Sequence, residues 1–324
     1  MPKCYLCIYE RHDGILHLMR DSDGLFRKVY EGQRLSAEEG IAMYREYSLS
    51  SLMFLADEIR KRLHPGNEVG WMIDRNVNIT NICFSQCRFC NFCRRSADED
   101  AYVTTDGQYD SKIQELFSLG GDQLLLQGGM NPSLGLDYYK SLFRRLKERW
   151  PKLKLHALGP PEIVYLAHKE KCGVKEVLTE LIAAGLDSLP GAGAEILSDR
   201  VRKIVSPGKA TTDQWLGVMR EAHRLNLPTS ATMMFGHAET PEERIDHLIR
   251  LREVQDEKPA GHYGFIAFIP WPYMDRGTVL ADKYSIRNHT TAADYLRLIA
   301  ISRIILDNIH NIQSSILTVG SDTA

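Results

Sequence analysis

Three cysteines, Cys83, Cys87 and Cys90, stand in the spacing CxxxCxxC within NITNICFSQCRFCNFCRR. Three thiolates on one short loop can ligate three irons of a four-iron cluster and leave the fourth open to an exogenous ligand. An open iron suits chemistry better than simple electron transfer. Other readings of these residues stay open: a zinc site, which asks for four protein ligands, or a pair of redox-active thiols. A closed ferredoxin-like cluster is a further one, with Cys93 as fourth ligand. Cys4 and Cys7 form a separate CxxC, read as an incidental pair.

The 324 residues carry 40 Lys+Arg against 42 Asp+Glu, a formal net charge of −2. That balance argues against a nucleic-acid or anionic-membrane surface as the main business of the chain. At 44% hydrophobic and 25% charged, with 24 Gly and 13 Pro, the composition is that of an ordinary globular protein. The N-terminus meets Glu10, Arg11 and Asp13 before any apolar run long enough for a signal sequence. No apolar stretch approaches the roughly 18 residues of a membrane span. The expectation is a cytoplasmic protein, where thiols stay reduced and seven cysteines point to metal or redox chemistry before disulfides.

The cysteine loop must be positioned by the elements around it. HDGILHLMRDSDGLFRKVY reads as a hairpin with Asp21–Gly24 at its tip, within an appendage over 1–30. From Ser36, paired with Glu39 as a capping box, one helical pattern runs to the stop at His64-Pro65-Gly66 and forms a helical segment over 31–76. Short apolar or β-branched runs then recur: VNIT from Val77, QLLLQ from Gln123, KLHAL from Lys154, LDSLP from Leu186, TSATMMF from Thr229, GFIAFIPW from Gly264 and SSILTV from Ser314. Helical patterns such as YYKSLFRRLKERW and TTDQWLGVMREAHRL alternate with them. That alternation predicts βαβ units and a parallel sheet. The fold class is α/β, a TIM-type (β/α) barrel over 77–324, because polar and Gly-rich residues crowd after each strand, where such a barrel builds its active site. An open doubly wound sheet is the alternative.

The cysteine loop, placed directly after the first strand, resembles the cluster loop of the radical S-adenosylmethionine (SAM) superfamily. The resemblance implies a [4Fe–4S] cluster on Cys83, Cys87 and Cys90, with Phe89 near the bound cofactor. It further implies that the methionine amine and carboxylate of S-adenosylmethionine chelate the open iron, and that one-electron reduction releases a 5′-deoxyadenosyl radical. Gly128-Gly129 corresponds to the superfamily's Gly-Gly turn at the methionine amine, although Met130 stands where many members carry Glu. MMFGHAE, with Met234 and Gly236, is similar to the segment near the adenine, and Phe268-Ile269-Pro270 to the segment that bonds adenine through its backbone.

Longer stretches, among them DRNVNITNICFSQCRFCNF, LLLQGGMNP, HALGPPEI and GLDSLPGAGAEILSDRVRKIVSPGK, resemble the branch of cyclases that close dehypoxanthinyl futalosine on the menaquinone route. Aminofutalosine and deazaflavin-forming synthases share the plan. The resemblance implies hydrogen abstraction at the ribosyl C4′, attack of the carbon radical on the benzoate ring, and loss of one electron and one proton. A small-molecule substrate and an electron donor such as flavodoxin or ferredoxin are the implied partners, with no nucleic acid and no membrane. For the substrate carboxylate the candidate cations are Arg200, Arg202 and Lys209, since Arg can grip a carboxylate with two parallel bonds. Glu195 and Gln127 are candidates for ribose hydroxyls, and His156 and Glu162 are further pocket residues. His237 and Glu239, just past the fifth strand, are candidates for the final deprotonation. The chain stops at SILTVGSDTA, where the resemblance implies another helix and an eighth strand, so an incomplete barrel is expected.

Overall fold

The structure, a computed structural model, describes residues 24–66 and 68–324. Strands β1 (Asp74–Asn78), β2 (Gln123–Gln127) and β3 (Lys154–Ala157) pair in parallel in that order, as do β4 (Thr229–Phe235), β5 (Phe265–Pro272) and β6 (Asn311–Ile312). LDSLP joins the two groups: Ser188 bridges to His156 of β3 and Leu189 to Thr229 of β4, both parallel. The parallel sheet thus runs from β1 to β6 and stays open between those two strands, a TIM-type barrel that does not close.

Register assigns the two faces of this sheet opposite chemistry. Val77, Leu126 and Ala157 share one row, and Leu124 and Leu155 another, all fully buried. On the neighbouring row stand Asn76, Leu125, His156 and Ser188, with Asn78 and Gln127 beside each other at the C-terminal end. Side chains alternate along a strand, so an apolar face toward the helices leaves a polar face toward the barrel interior. The second half repeats this: Ser230, Ala267 and Asn311 lie in one interior row, Thr232 beside Ile269 and Met234 beside Trp271. Its outer face is marked by Thr229, whose hydroxyl bonds His223 of α9 (Thr212–Arg224) at 2.8 Å, and by Phe268, packed 6.3 Å from His247. His247 lies on α10 (Pro241–Asp256). Helices cover the outer face alone, which favours the barrel over a doubly wound sheet.

Three expectations are corrected. The helical stretch from Ser36 is two helices, Ala37–Glu46 (α2) and Leu49–Leu63 (α3), because Ser48 caps a new start through Ser51 N–H at 3.1 Å. The Ser36–Glu39 capping box is present as read. Of the appendage over 1–30, residues 1–23, with the first part of the hairpin and with Cys4 and Cys7, lie outside the described residues, and Gly24–Tyr30 is a helix, α1. Its Phe26 and Tyr30 stack on Phe54 of α3, so helical i, i+4 spacing serves packing that a strand would not. SSILTV is not a strand: Ile316–Val319 forms a helical turn with Leu317 almost fully exposed. The sheet contact falls on Asn311–Ile312, immediately before it. Among the described residues no helix is long and apolar enough to cross a membrane.

The N-terminal helices buttress the second half of the barrel. Arg297 of α12 (Ala292–Ile305) donates to the carbonyls of Tyr44 and Tyr47 at 2.9 and 2.8 Å. Arg34 grips Asp256 at 2.6 Å and Asp307 at 2.8 Å.

Candidate active site

The cysteine loop is held between two backbones that approach it only because glycine stands at each contact. A Cβ on Gly129 would lie 2.2 Å from the carbonyl oxygen of Ile82 and 2.8 Å from the Cβ of Cys83. A Cβ on Gly208 would lie 2.6 Å from the carbonyl oxygen of Ser85. On the first side Met130 N–H donates to Cys83 Sγ at 3.4 Å and Phe84 N–H to Met130 O at 3.2 Å. On the second, Arg88 N–H donates to Val205 O at 2.9 Å. Gly128-Gly129 is therefore a close-approach turn against the cysteine loop, a contact the sequence reading did not foresee, since it aimed the turn at the methionine amine of the cofactor. Gly208 went unremarked in the sequence, since SPGK looks like any loop.

Cys87 is buried, and Cys83 and Cys90 are half-buried. Burial pushes the Cys87 thiol up to about 11, against the pull of the Lys209 ammonium, and raises Cys83 as well. Cys93 is engaged elsewhere: its thiol donates to the Cys83 carbonyl at 3.3 Å. Zinc needs its ligand atoms to converge at about 2.0–2.3 Å from one point. Among the described residues no three His, Cys, Asp or Glu side chains do this. A four-iron cluster takes one thiolate per iron, so its ligands stand apart around a cage, and three thiols on one loop beside a cation fit it.

Behind the loop lies a buried charge centre. Lys209 Nζ sits 2.8 Å from Glu195 Oε1 and 5.3 Å from the centre of the Phe89 ring. Burial opposes the charge on Lys209, but Cys87, Glu195 and Glu162 outweigh it and hold the ammonium above its ordinary range. Glu162 is pushed up to about 7 by burial, with Lys209 pulling the other way. The second Glu195 oxygen is buried without a hydrogen bond, 3.6 Å from Arg202. By sequence Phe89 was expected near the cofactor, Glu195 at ribose hydroxyls, Glu162 in the pocket, and Arg202 and Lys209 at a carboxylate; the structure brings all five together around Lys209.

Arg202 and Arg200 are placed otherwise than a carboxylate grip requires. Arg202 is buried and donates to the carbonyls of Gly193 (3.0 Å), Ala194 (2.6 Å) and Ala210 (2.8 Å), which ties two loops together. Arg200 pairs with Glu243 at 2.5 Å and donates to Ala238 O at 2.8 Å. Arg202 is spent on three loop carbonyls and Arg200 on Glu243 and Ala238 O, so Lys209 is the cation of the three that faces the site.

His237 and Glu239 form the clasp of the loop after β4. The Glu239 carboxylate accepts from Gly236 N–H (2.6 Å) and His237 N–H (3.0 Å) and is gripped by Arg244 at 2.6 Å. Arg244 in turn donates to Tyr44 OH at 2.9 Å. His237 Nε2 bonds Met234 O at 2.8 Å, and neither side chain, His237 or Glu239, is exposed. Burial pushes the His237 imidazole below its ordinary value. Burial works against ionisation of Glu239, but His237, Arg244 and the two N–H groups hold it below the usual carboxyl range. This geometry fixes a loop, with both side chains buried away from solvent. Gly236 has φ +86°, and a Cβ there would meet Thr290 Oγ1 at 2.3 Å, so the turn requires glycine.

The remaining candidates divide by strand face. Gln127, His156, Met234 and Ile269 lie on interior rows, and Phe268 and Pro270 point outward, with Phe268 O already accepting from Gln313 N–H at 2.8 Å. His156 Nδ1 pairs with Ser188 Oγ at 2.7 Å, and burial lowers its pKa to about 4, so the ring is neutral. Asn76, Asn78, Ser188 and Thr232 share that interior and were not singled out from sequence. The alternation of Asn76 and Asn78 about Val77 was the available signal.

Residues 77–251 match the radical SAM superfamily and residues 262–324 the CofH/MqnC C-terminal region. The chain belongs to the radical SAM superfamily. It is an enzyme fold whose cofactors are S-adenosylmethionine and a [4Fe–4S] cluster. The cyclic dehypoxanthine futalosine synthase of Halalkalibacterium halodurans is 40% identical over 93% of this chain and 79% of its own length. The aminodeoxyfutalosine synthase of Thermus thermophilus is 38% identical over 92% of this chain and 78% of its own. Among solved structures, methylornithine synthase (PylB) superposes with a TM-score of 0.67 at 18% identity, covering 93% of this chain and 81% of that one, which speaks for the fold alone.

Proposed function

We propose that this protein is the radical SAM cyclase that converts dehypoxanthinyl futalosine into its cyclic form on the menaquinone route, in the cytoplasm. The observation that carries the reading is the 40% identity to a synthase of that name across 93% of the chain, through both the cysteine loop and the C-terminal region. The cluster with its bound S-adenosylmethionine supplies a 5′-deoxyadenosyl radical. Cys83, Cys87 and Cys90 hold the cluster, and Gly129 and Gly208 keep the loop seated. Lys209, paired with Glu195 above Phe89, offers its remaining donors to a carboxylate at the barrel mouth. Glu239 and Arg244 fix the loop that presents Met234 and Gly236 to the adenine. Gln127, the His156–Ser188 pair and Thr232 face the substrate from the interior rows, where neutral hydrogen-bonding groups suit a ribose.

The reaction would pass one hydrogen atom to the adenosyl radical, one proton to solvent and one electron back to the oxidised cluster, so the product is two hydrogens lighter than the substrate. Anaerobically reconstituted protein given S-adenosylmethionine, reductant and dehypoxanthinyl futalosine should yield that product with one 5′-deoxyadenosine per turnover. Absence of the lighter product, with 5′-deoxyadenosine formed on the aminodeoxyfutalosine synthase substrate instead, would reassign the chain to the second relative's reaction.

A further inference from the structure

The proposed substrate carries one aromatic ring, the benzoate, and the barrel interior offers little that is flat to receive it. The interior rows hold Asn, Gln, Ser, Thr, His and aliphatic side chains, and Trp271 is their one large aromatic among the described residues. Alternation along β5 fixes where that side chain points. Phe268 packs outward against His247 of α10, so Ile269 and Trp271 face the interior. Both are half-buried, as residues bordering an interior space are, whereas Phe268, Pro270 and Pro272 are buried.

The indole is held by its neighbours but not used by them. It packs against the buried core. Of the four tryptophans, Trp150 donates its ring N–H to Asp110 at 3.2 Å, Trp215 donates to Ala192 O at 3.1 Å, and Trp71 is 82% exposed. Trp271 Nε1–H has no acceptor, and its face no stacked ring, among the described residues. A buried indole ordinarily finds a partner for its N–H. An open face and a free donor turned toward the interior suit a ligand that brings both a ring and an acceptor.

Its place beside the charge centre selects which ring. Trp271 is the register partner of Met234, Met234 N–H donates to Glu195 O at 3.0 Å, and the Glu195 carboxylate meets Lys209 at 2.8 Å. Neighbouring strands stand about 4.8 Å apart, so the indole and the ammonium belong to adjoining stretches of the mouth wall. A benzoate carboxylate is bonded directly to its ring, so a carboxylate on Lys209 brings the ring to that same stretch. The adenine of the cofactor is the other flat ring at the mouth, and it bears no carboxylate of its own. We infer that the indole of Trp271 is the platform on which the benzoate ring of the substrate lies, with its N–H left to donate to a substrate oxygen. Stacking fixes the plane of the ring, which attack of a carbon radical on one ring carbon requires.

This inference rests on the cyclase reading, and the test separates the two. Anaerobic calorimetry of the reconstituted protein, without reductant so that nothing turns over, measures binding of three ligands. They are dehypoxanthinyl futalosine, its analogue with a cyclohexane carboxylate in place of the benzoate, and S-adenosylmethionine. Wild type should favour the aromatic ligand over the saturated one by about three- to tenfold. Trp271→Leu should abolish that preference and weaken dehypoxanthinyl futalosine about tenfold or more, with S-adenosylmethionine bound as in wild type. Trp271→Phe, which keeps a ring face, should retain most of the preference. With reductant added, Trp271→Leu should form more 5′-deoxyadenosine than cyclic product, because the ring is no longer held for attack. Equal affinity of wild type for the aromatic and saturated ligands overturns the platform without recourse to any variant. So does a loss of S-adenosylmethionine affinity in Trp271→Leu that matches the loss for substrate, which would give the indole to the adenine. A wild type that binds S-adenosylmethionine but not dehypoxanthinyl futalosine overturns the cyclase reading itself.

Discussion

Gly129→Ala tests how the cysteine loop is seated. Its backbone angle is not in the left-handed region, so alanine meets no torsional penalty and the cost comes from space alone. The new Cβ would lie 2.2 Å from Ile82 O, where real Cβ atoms keep at least 3.0 Å, so the two backbones must separate by 3.0 − 2.2 = 0.8 Å or more. Neither side is free to move: Gly129 N–H donates to Thr80 O at 2.8 Å, and Phe84 N–H to Met130 O at 3.2 Å. Overpacking of this kind costs about 1–3 kcal/mol, or a fall of a few degrees in Tm for a chain of this size. The functional effect should be larger, because a displacement near 1 Å in a reacting geometry costs about 10²-fold in rate. Gly107→Ala is the control: it lies in the first turn of the helix Asp106–Ser118 with nothing within 4 Å of its added Cβ. It should be neutral or stabilise by about 0.5 kcal/mol. The assay measures Tm, iron per chain after reconstitution, and 5′-deoxyadenosine formation for both variants. If Gly129→Ala keeps wild-type Tm, iron content and turnover within twofold, the tight seat of the cysteine loop is refuted.

Alanine at Cys83, Cys87 or Cys90 should each abolish the cluster's absorbance and iron retention, whereas Cys93→Ala, which loses only the bond to the Cys83 carbonyl, should retain both; equal iron loss in all four would make Cys93 a ligand. Lys209→Met leaves the Glu195 carboxylate buried with only Arg202 at 3.6 Å, and chemical denaturation should report a loss of about 3 kcal/mol, much of it restored when Glu195→Gln is added; no recovery in the double variant would mean the pair is not coupled. Stability should fall in acid. Burial lowers His223 to about 4 and His247 to about 3, below the ordinary value of 6.5, so the unfolded chain binds more protons as pH drops from 6.5 toward 4. Each ring then removes about 2 kcal/mol by pH 5, and urea titrations at pH 7 and 5 should show it, less so in His223→Gln. A midpoint that does not move over that range would contradict the burial of both rings.

The sequence alone determined the parts that depend on local chemistry and period. Cys83, Cys87 and Cys90 announce their use by spacing, because one short loop has few ways to present three thiols. Strands such as TSATMMF and QLLLQ coincide with β4 and β2, since runs buried between helices and interior must be apolar throughout or in alternation. Ser36 and Glu39 marked a helix start because a capping box is closed within four residues. What sequence could not decide was which charges meet. Arg202 and Lys209 lie seven residues apart in the same basic stretch, yet one ties loops together and the other faces Cys87, a difference set by where Gly193, Ala194 and Ala210 bring their carbonyls. His237 and Glu239 looked poised for proton transfer by position after a strand, and only packing against Arg244 and Tyr44 turned them inward as a clasp. Gly24–Tyr30 carried strand-like composition and became helical because Phe54 offered a surface on which Phe26 and Tyr30 stack, while Ile316–Val319 forms a helical turn with no buried residue. Local pattern is fixed by neighbours in the chain, and the partner of a buried charge by neighbours in space.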